Sequence, residues 1–149
     1  MSGTEHRRIV AARSLTVAGV LLLLVAGIHL AVIPLLRQVL LRRLSADAYA
    51  FVAPPFFLNH VGVGVLLFPF GFSTIVCAGG IRRGQRWAWW IGLSNAVAVL
   101  VLPVVLLGLM GFRYFKAVPF LVAALSVTAA GLAMIIPLLW VGREIVGRS

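Results

Sequence analysis

Two histidines within otherwise apolar sequence have the clearest capacity for chemistry. His29 lies in the run LTVAGVLLLLVAGIHLAVI, and His60 lies near the start of the run LNHVGVGVLLFPFGFSTIVCAGGI. An ionisable side chain in a membrane span is by default a functional hypothesis, since burying it in lipid is costly. A facing pair of imidazoles could hold a haem b iron, as in four-helix cytochromes.

The depth of the two histidines argues against this haem site. Counting from the midpoint of each apolar run at ~1.5 Å per residue, His60 lies ~14 Å and His29 ~6 Å to the same side of the membrane midplane. Two axial haem ligands need nearly the same depth. We therefore predict no cofactor, with haem b as the alternative. We expect His29 to contact Ser126 at its own level, and His60 to lie at the water interface.

A second group of polar residues is predicted at the same end of the molecule. Asp47, Tyr49, Asn59 and His60 surround the start of the second apolar run. An Asp–His pair there could act as orienter and general base, or the group could bind a polar headgroup. Alternatively, Asp47 is an ordinary first-turn acid stabilised by a helix dipole.

A third set of polar side chains lies deeper. By the same count, Ser73, Thr74 and Asn95 share a level toward the other end, whereas Ser126 shares the level of His29. We expect Asn95 to hydrogen-bond Ser73 or Thr74 across two neighbouring helices, which is the usual glue between membrane helices. Contact of this intramembrane cluster with a substrate is the alternative.

Several kinds of chemistry have no residues to perform them. The four long apolar runs contain no Asp, Glu, Lys or Arg, and Cys77 is the only cysteine. Carboxylate proton relays, intrachain disulfides and clustered metal ligands are therefore disfavoured. We predict no catalytic residue and no metal site, and we favour a protein that is not an enzyme.

Composition predicts a membrane protein. Of 149 residues, 62% are hydrophobic and 11% are charged, and the mean hydropathy is +1.12. An ordinary soluble domain has about 45–50% apolar and about 25% charged residues. The net charge of +10 lies at the ends of the apolar runs, which favours anionic lipid headgroups over nucleic acid as its counterpart.

The predicted fold is an all-α, four-helix transmembrane bundle with up-down topology, forming a single domain over residues 1–149. The spans are placed at 14–36, 58–81, 87–112 and 117–142, each long enough to cross ~30 Å of hydrocarbon. Pro34 is expected to disturb the first span near its end. The segment 37–57 is predicted to be interfacial, with a short helix that Ser45 caps and Pro54–Pro55 end.

Arginine placement predicts the orientation. Eight basic residues flank one side of the spans and five flank the other, so the positive-inside rule places both termini in the cytoplasm. The Arg-rich GIRRGQR turn supplies candidate headgroup ligands in Arg82, Arg83 and Arg86. The Arg-rich, Ala- and Val-rich composition favours a bacterial inner membrane.

These observations favour a non-enzymatic membrane protein that acts through helix contacts, as a subunit, an assembly factor or a binder of lipid-like molecules. Its expected partners are membrane lipids and either further copies of itself or a larger membrane complex. The alternative is a histidine-dependent activity, namely haem b electron transfer or small-molecule transport by an oligomer.

Overall fold

The computed structural model describes residues 2–114, 116 and 118–147, and within these residues the chain is helical without any strand. The described residues form five helices, α1 to α5. Their bounds are Gly3–Ala31 (α1), Ile33–Arg43 (α2), Ala46–Arg82 (α3), Arg86–Tyr114 (α4) and Val118–Val146 (α5). Gly111, at φ 68°, breaks α4 near its end.

Four of the helices are long and apolar enough to cross a membrane. These are α1, α3, α4 up to Leu109, and α5. Only 22–44% of the residues in their most apolar windows are buried, and large side chains such as Leu24 and Leu109 point outward with 59% and 79% of their surface exposed. Such a surface requires an apolar solvent, because lipid tails stabilise it and water does not.

The prolines affect the helices in two ways. The disturbance predicted near Pro34 is present, since α1 ends at Ala31 and α2 begins at Ile33. The Ser45 cap is also present, with its Oγ accepting from the Ala48 amide at 3.3 Å. The predicted stop at Pro54–Pro55 is wrong, because α3 continues through both prolines for 37 residues in all. Neither proline has an N–H, so the Ala50 and Phe51 carbonyls lose their helical donors while the helix path is retained.

The tightest helix contact lies between α1 and α3. A Cβ atom added to Gly19 would lie 2.7 Å from the carbonyl oxygen of Gly71, and one added to Gly71 would lie 2.8 Å from the carbonyl oxygen of Gly19. Seven residues further along α1 and seven back along α3, a Cβ atom on Gly64 would lie 3.3 Å from the Ala26 carbonyl oxygen. The two helices therefore run in opposite directions and touch backbone to backbone, as small residues allow.

The other spans complete a ring of four. Helix α1 packs against α3 and α5, and α4 packs against the same two helices. The core between them is formed by Leu15, Leu22, Leu67, Met134 and Leu138, all of which are fully or almost fully buried.

A proline determines one contact between α1 and α5. Pro137 lies inside α5 and has no N–H, so the carbonyl of Ala133 lacks its helical donor. Ser14 of α1 donates its hydroxyl to that oxygen at 2.6 Å. In lipid an unsatisfied carbonyl is costly, so Ser14 replaces the missing bond from a neighbouring helix.

One end of the ring is held by polar contacts to α5. Arg86 donates to the carbonyls of Ile145 and Val146, at 3.4 and 2.6 Å, and so satisfies the last turn of α5. Arg7, near the start of α1, forms an ion pair with Glu144 at 3.0 Å. The start of α1 and the end of α5 therefore lie side by side.

We predict that Gly19→Ala destabilises the protein by about 1–3 kcal/mol, because its methyl group would meet backbone of α3. Gly27→Ala in the same helix is the control, since a Cβ there meets nothing within 4 Å, and the better helix former should leave stability unchanged or raise it slightly. The free energy of unfolding in bicelles measures both. Equal effects at the two glycines would contradict the close contact.

A double-mutant cycle tests the proline-linked contact. Ser14→Ala should cost about 1 kcal/mol, because the Ala133 carbonyl then lacks a partner. In the Pro137→Ala background the restored backbone N–H can bond that carbonyl, so the same Ser14 change should cost almost nothing. Additive effects in bicelle unfolding would show that Ser14 does not replace the proline's missing donor.

Candidate functional site

His29 and His60 are in contact. Their ring centroids are 4.9 Å apart and the rings are tilted by 34°. Phe56, one turn before His60 on α3, stacks on the His60 ring, with the two ring centroids 5.7 Å apart and an interplanar angle of 16°. His60 is only 8% exposed, so most of its side chain packs against the protein.

This contact corrects the predicted ~8 Å offset between the two histidines. That offset assumed that each apolar run is centred on the membrane, whereas the glycine contact between α1 and α3 determines the actual register. From Gly19 to His29 the chain rises ~15 Å, and from Gly71 back to His60 it rises ~16 Å in the same direction. The two imidazoles therefore reach the same level.

The pair does not fit a haem iron. A metal–imidazole bond is about 2.0–2.1 Å long, so two imidazoles on opposite faces of one iron have centroids about 6 Å apart with the porphyrin between them. The His29 and His60 rings are closer than this, at 4.9 Å. Their arrangement leaves no layer for a macrocycle.

His29 is held by its own helix. Its Nδ1 lies 3.0 Å from the carbonyl oxygen of Val25, one turn earlier. A carbonyl oxygen only accepts, so Nδ1 donates and carries the proton. The expected partner Ser126 forms no hydrogen bond with either His29 or Asn95 among the described residues.

The histidine pair lies in the wall of an apolar cavity of about 340 Å³. The cavity lies between α1, α2, α3 and the start of α5. Its lining residues are Ile28, His29, Val32, Leu35, Leu36, His60, Pro119, Phe120 and Ala123. Ile28 and Leu35 are 60% and 61% exposed, so the cavity opens on the outer surface of the helices, where lipid tails would lie.

His60 has no hydrogen-bond partner in the described part of the chain, although it is nine-tenths buried. In the described chain the fully buried side-chain atoms without a partner are Arg8 Nε and Glu144 Oε2. The ring nitrogens of His60 are not among them, so they keep access to the space beside the ring. Two neighbouring aromatic rings and a cavity surround this imidazole, so the cavity is the place from which a partner can reach it.

The cluster at Asn95 links α3 to α4. The Asn95 side-chain amide donates to Ser73 Oγ at 2.8 Å and, at 3.4 Å, to Thr74 Oγ1. Both hydroxyls in turn donate to the carbonyl of Phe70, at 3.2 and 2.7 Å. Asn95 and Thr74 are buried and line none of the cavities around the histidines, which is the geometry of a structural link.

The predicted group of Asp47, Tyr49, Asn59 and His60 is not brought together. All four lie on the one continuous helix α3, so Asp47 and Asn59 are ~18 Å apart along its axis. Asp47 is exposed in the first turn, where a carboxylate is favoured by the helix dipole. Of the four residues, only His60 lines the cavity.

The three candidate headgroup arginines have different surroundings. Arg86 is used as the cap of α5. Arg83 donates to the Gln85 side chain at 3.4 Å in the same turn. Arg82 is exposed and lines, together with Arg13, a groove of about 570 Å³ between α1 and α3.

Sequence reasoning missed Phe56, the cavity and the register that creates it. A signal for the register was present in the sequence. Gly19 and Ala26 on α1, and Gly64 and Gly71 on α3, each repeat at seven residues, which is a spacing that keeps small residues on one helix face. Pairing the two repeats would have brought His29 and His60 to one level.

Comparison of the chain with protein-family models, with curated proteins and with solved structures gives no match.

We predict that Asn95→Ala destabilises the protein by about 1–2 kcal/mol, because two interhelical hydrogen bonds are lost. Ser94→Ala is the matched control, since Ser94 is exposed on the same helix. Unfolding in bicelles measures both variants. A similar loss of stability in the two variants would show that the Asn95 amide does not link α3 to α4.

Proposed function

We propose that the protein is a non-enzymatic integral membrane protein that binds one lipid-like molecule in the cavity beside His29 and His60. The observation that carries this proposal is the His60 imidazole, which is 8% exposed and has no hydrogen-bond partner in the described chain. An apolar cavity with few polar groups is the usual form of a small-molecule site. Its opening between exposed side chains favours a ligand that enters from the lipid.

The chemistry of the cavity wall supports binding over catalysis. Apart from the two imidazoles, the lining side chains are aliphatic, aromatic or proline. A catalytic site needs a nucleophile, a second acid or base, or an electrophile positioned against the substrate. The described wall offers none of these beside the histidine pair.

The proposed setting is a bacterial inner membrane, with an up-down bundle and both termini in the cytoplasm. The pairing of Arg7 with Glu144 supports termini on one side, and the excess of arginine there supports the cytoplasmic side. In this arrangement α2 and the first turns of α3 lie at the outer interface, and the cavity opens to the outer half of the bilayer. Assembly with further copies or with a larger complex is part of this proposal.

Filling the cavity tests the proposed function. Ala123 lines the cavity from α5, so Ala123→Phe should expel the bound molecule. Ala129→Phe is the control, because Ala129 is exposed on the same helix. Native mass spectrometry of gently extracted protein should show a retained lipid mass for the wild type and the control, and little or none for Ala123→Phe. A wild-type protein without any retained lipid, or equal retention in both variants, would contradict the proposal.

We also propose that inner-face arginines bind anionic headgroups, and their different hydrogen bonds within the protein support different roles for them. We predict that Arg82→Gln with Arg83→Gln weakens binding to anionic bicelles roughly 10–30-fold, at about 1 kcal/mol per lost charge. Arg86→Gln should instead lower the free energy of unfolding, because it removes the cap of α5. Lipid binding and unfolding are measured for both variants. Weaker lipid binding in Arg86→Gln, together with lower stability in the Arg82→Gln and Arg83→Gln double variant, would contradict this assignment of roles.

A further inference from the structure

Two of the described side chains that line the cavity can form hydrogen bonds. They are those of His29 and His60, and the other described lining residues carry no side-chain donor or acceptor. The headgroup of any lipid-like ligand must therefore be complementary to this pair. The inference below rests on the proposed function and specifies the class of ligand.

His29 offers an acceptor to the ligand. Its Nδ1 donates to the Val25 carbonyl at 3.0 Å, and a neutral imidazole carries one proton only. Nε2, on the opposite edge of the ring, is then left with a free lone pair. A ligand that satisfies Nε2 must supply a hydrogen-bond donor.

His60 offers both kinds of group. As a neutral imidazole it has one N–H donor and one acceptor nitrogen, and neither has a partner in the described chain. Its ring centroid is 4.9 Å from that of His29, so one small group can reach both imidazoles. A ligand oxygen that donates to one ring and accepts from the other would satisfy the pair.

The site is unsuited to charged headgroups. Burial in an apolar wall disfavours a charged imidazole, the described lining holds no carboxylate to stabilise one, and two charged rings at this separation would repel each other, so both rings are taken as neutral. Among the described residues that line the cavity there is no arginine or lysine. Phosphates and carboxylates bind through charge-assisted hydrogen bonds to cations, and none is available here.

We infer that the His29–His60 pair selects a lipid alcohol, meaning a molecule with a long apolar chain that ends in an uncharged hydroxyl group. A hydroxyl oxygen donates one hydrogen bond and accepts others, so it can donate to Nε2 of His29 and accept from the N–H of His60. A ketone or ester carbonyl only accepts. An ether has no donor either. Neither of them satisfies His29.

Photolabelling with matched probes tests this selection. The protein is placed in phosphatidylcholine nanodiscs with a long-chain primary alcohol that carries a diazirine in its chain. The same chain with a methyl ether, and with a carboxylate, provides the comparison. Labelled residues are mapped by peptide mass spectrometry. We expect the alcohol to label the 28–36 and 119–123 segments about tenfold more than the ether does, as expected for the loss of a satisfied hydrogen bond in an apolar site.

Variants then assign the selectivity to the imidazoles. His29→Phe and His60→Phe should each reduce alcohol labelling to the level of the ether, while His6→Phe, at an exposed position outside the cavity, should leave the tenfold ratio unchanged. If a cavity histidine variant fails to fold, the ratio between probes in the wild-type protein still decides the question.

The outcomes separate this inference from the proposed function. Equal cavity labelling by alcohol and ether would overturn the selection of a hydroxyl and leave lipid binding in place. Stronger labelling by the carboxylate than by the alcohol would contradict the claim that the two imidazoles are neutral. Absence of cavity labelling by every probe would overturn the inference and the proposed function together.

Discussion

The backbone contact between Gly19 and Gly71 is the constraint on which the rest of the structure depends. Without a Cβ atom on either residue, α1 and α3 approach until each glycine faces the carbonyl oxygen of the other. In lipid, where apolar burial does not drive helices together, close packing of small residues is a main source of association. This contact fixes the register of two antiparallel helices, and the register brings two histidines from distant parts of the sequence together.

Lipid as the solvent also explains the hydrogen bonds that side chains donate to backbone carbonyls. Lipid tails offer no hydrogen bonds, so each backbone group that a proline or a helix end leaves open needs a protein donor. Ser14 supplies one to Ala133, and Arg86 supplies two to the end of α5. His60 differs from these groups, because it is a buried polar side chain that the described chain leaves without a partner. A buried imidazole without a partner in the described chain, beside an apolar cavity, is suited to accept a ligand there.

The sequence predicted the features that depend on local pattern. Four apolar stretches gave four candidate spans, Ser45 gave a cap, and Asn95 was paired with Ser73 because both lie at similar distances from one short turn. Features that depend on register or tilt were not predicted. Centring each apolar run on the membrane misplaced His60 relative to His29, since α3 begins twelve residues before the predicted span. The rule that prolines end helices failed at Pro54–Pro55, where α3 continues through both residues.

Contact between the two buried imidazoles is the central claim, and it can be measured directly in a bilayer. The chain has three histidines, so a His6→Gln variant with isotope-labelled histidine and phenylalanine leaves only His29 and His60 as labelled histidines for solid-state NMR. We predict a through-space cross-peak between the two imidazole rings. It should appear at the same mixing time as the cross-peak between His60 and Phe56, whose ring centroids are 5.7 Å apart. A visible His60–Phe56 peak without the His29–His60 peak would contradict the register, the cavity site and the proposed binding together.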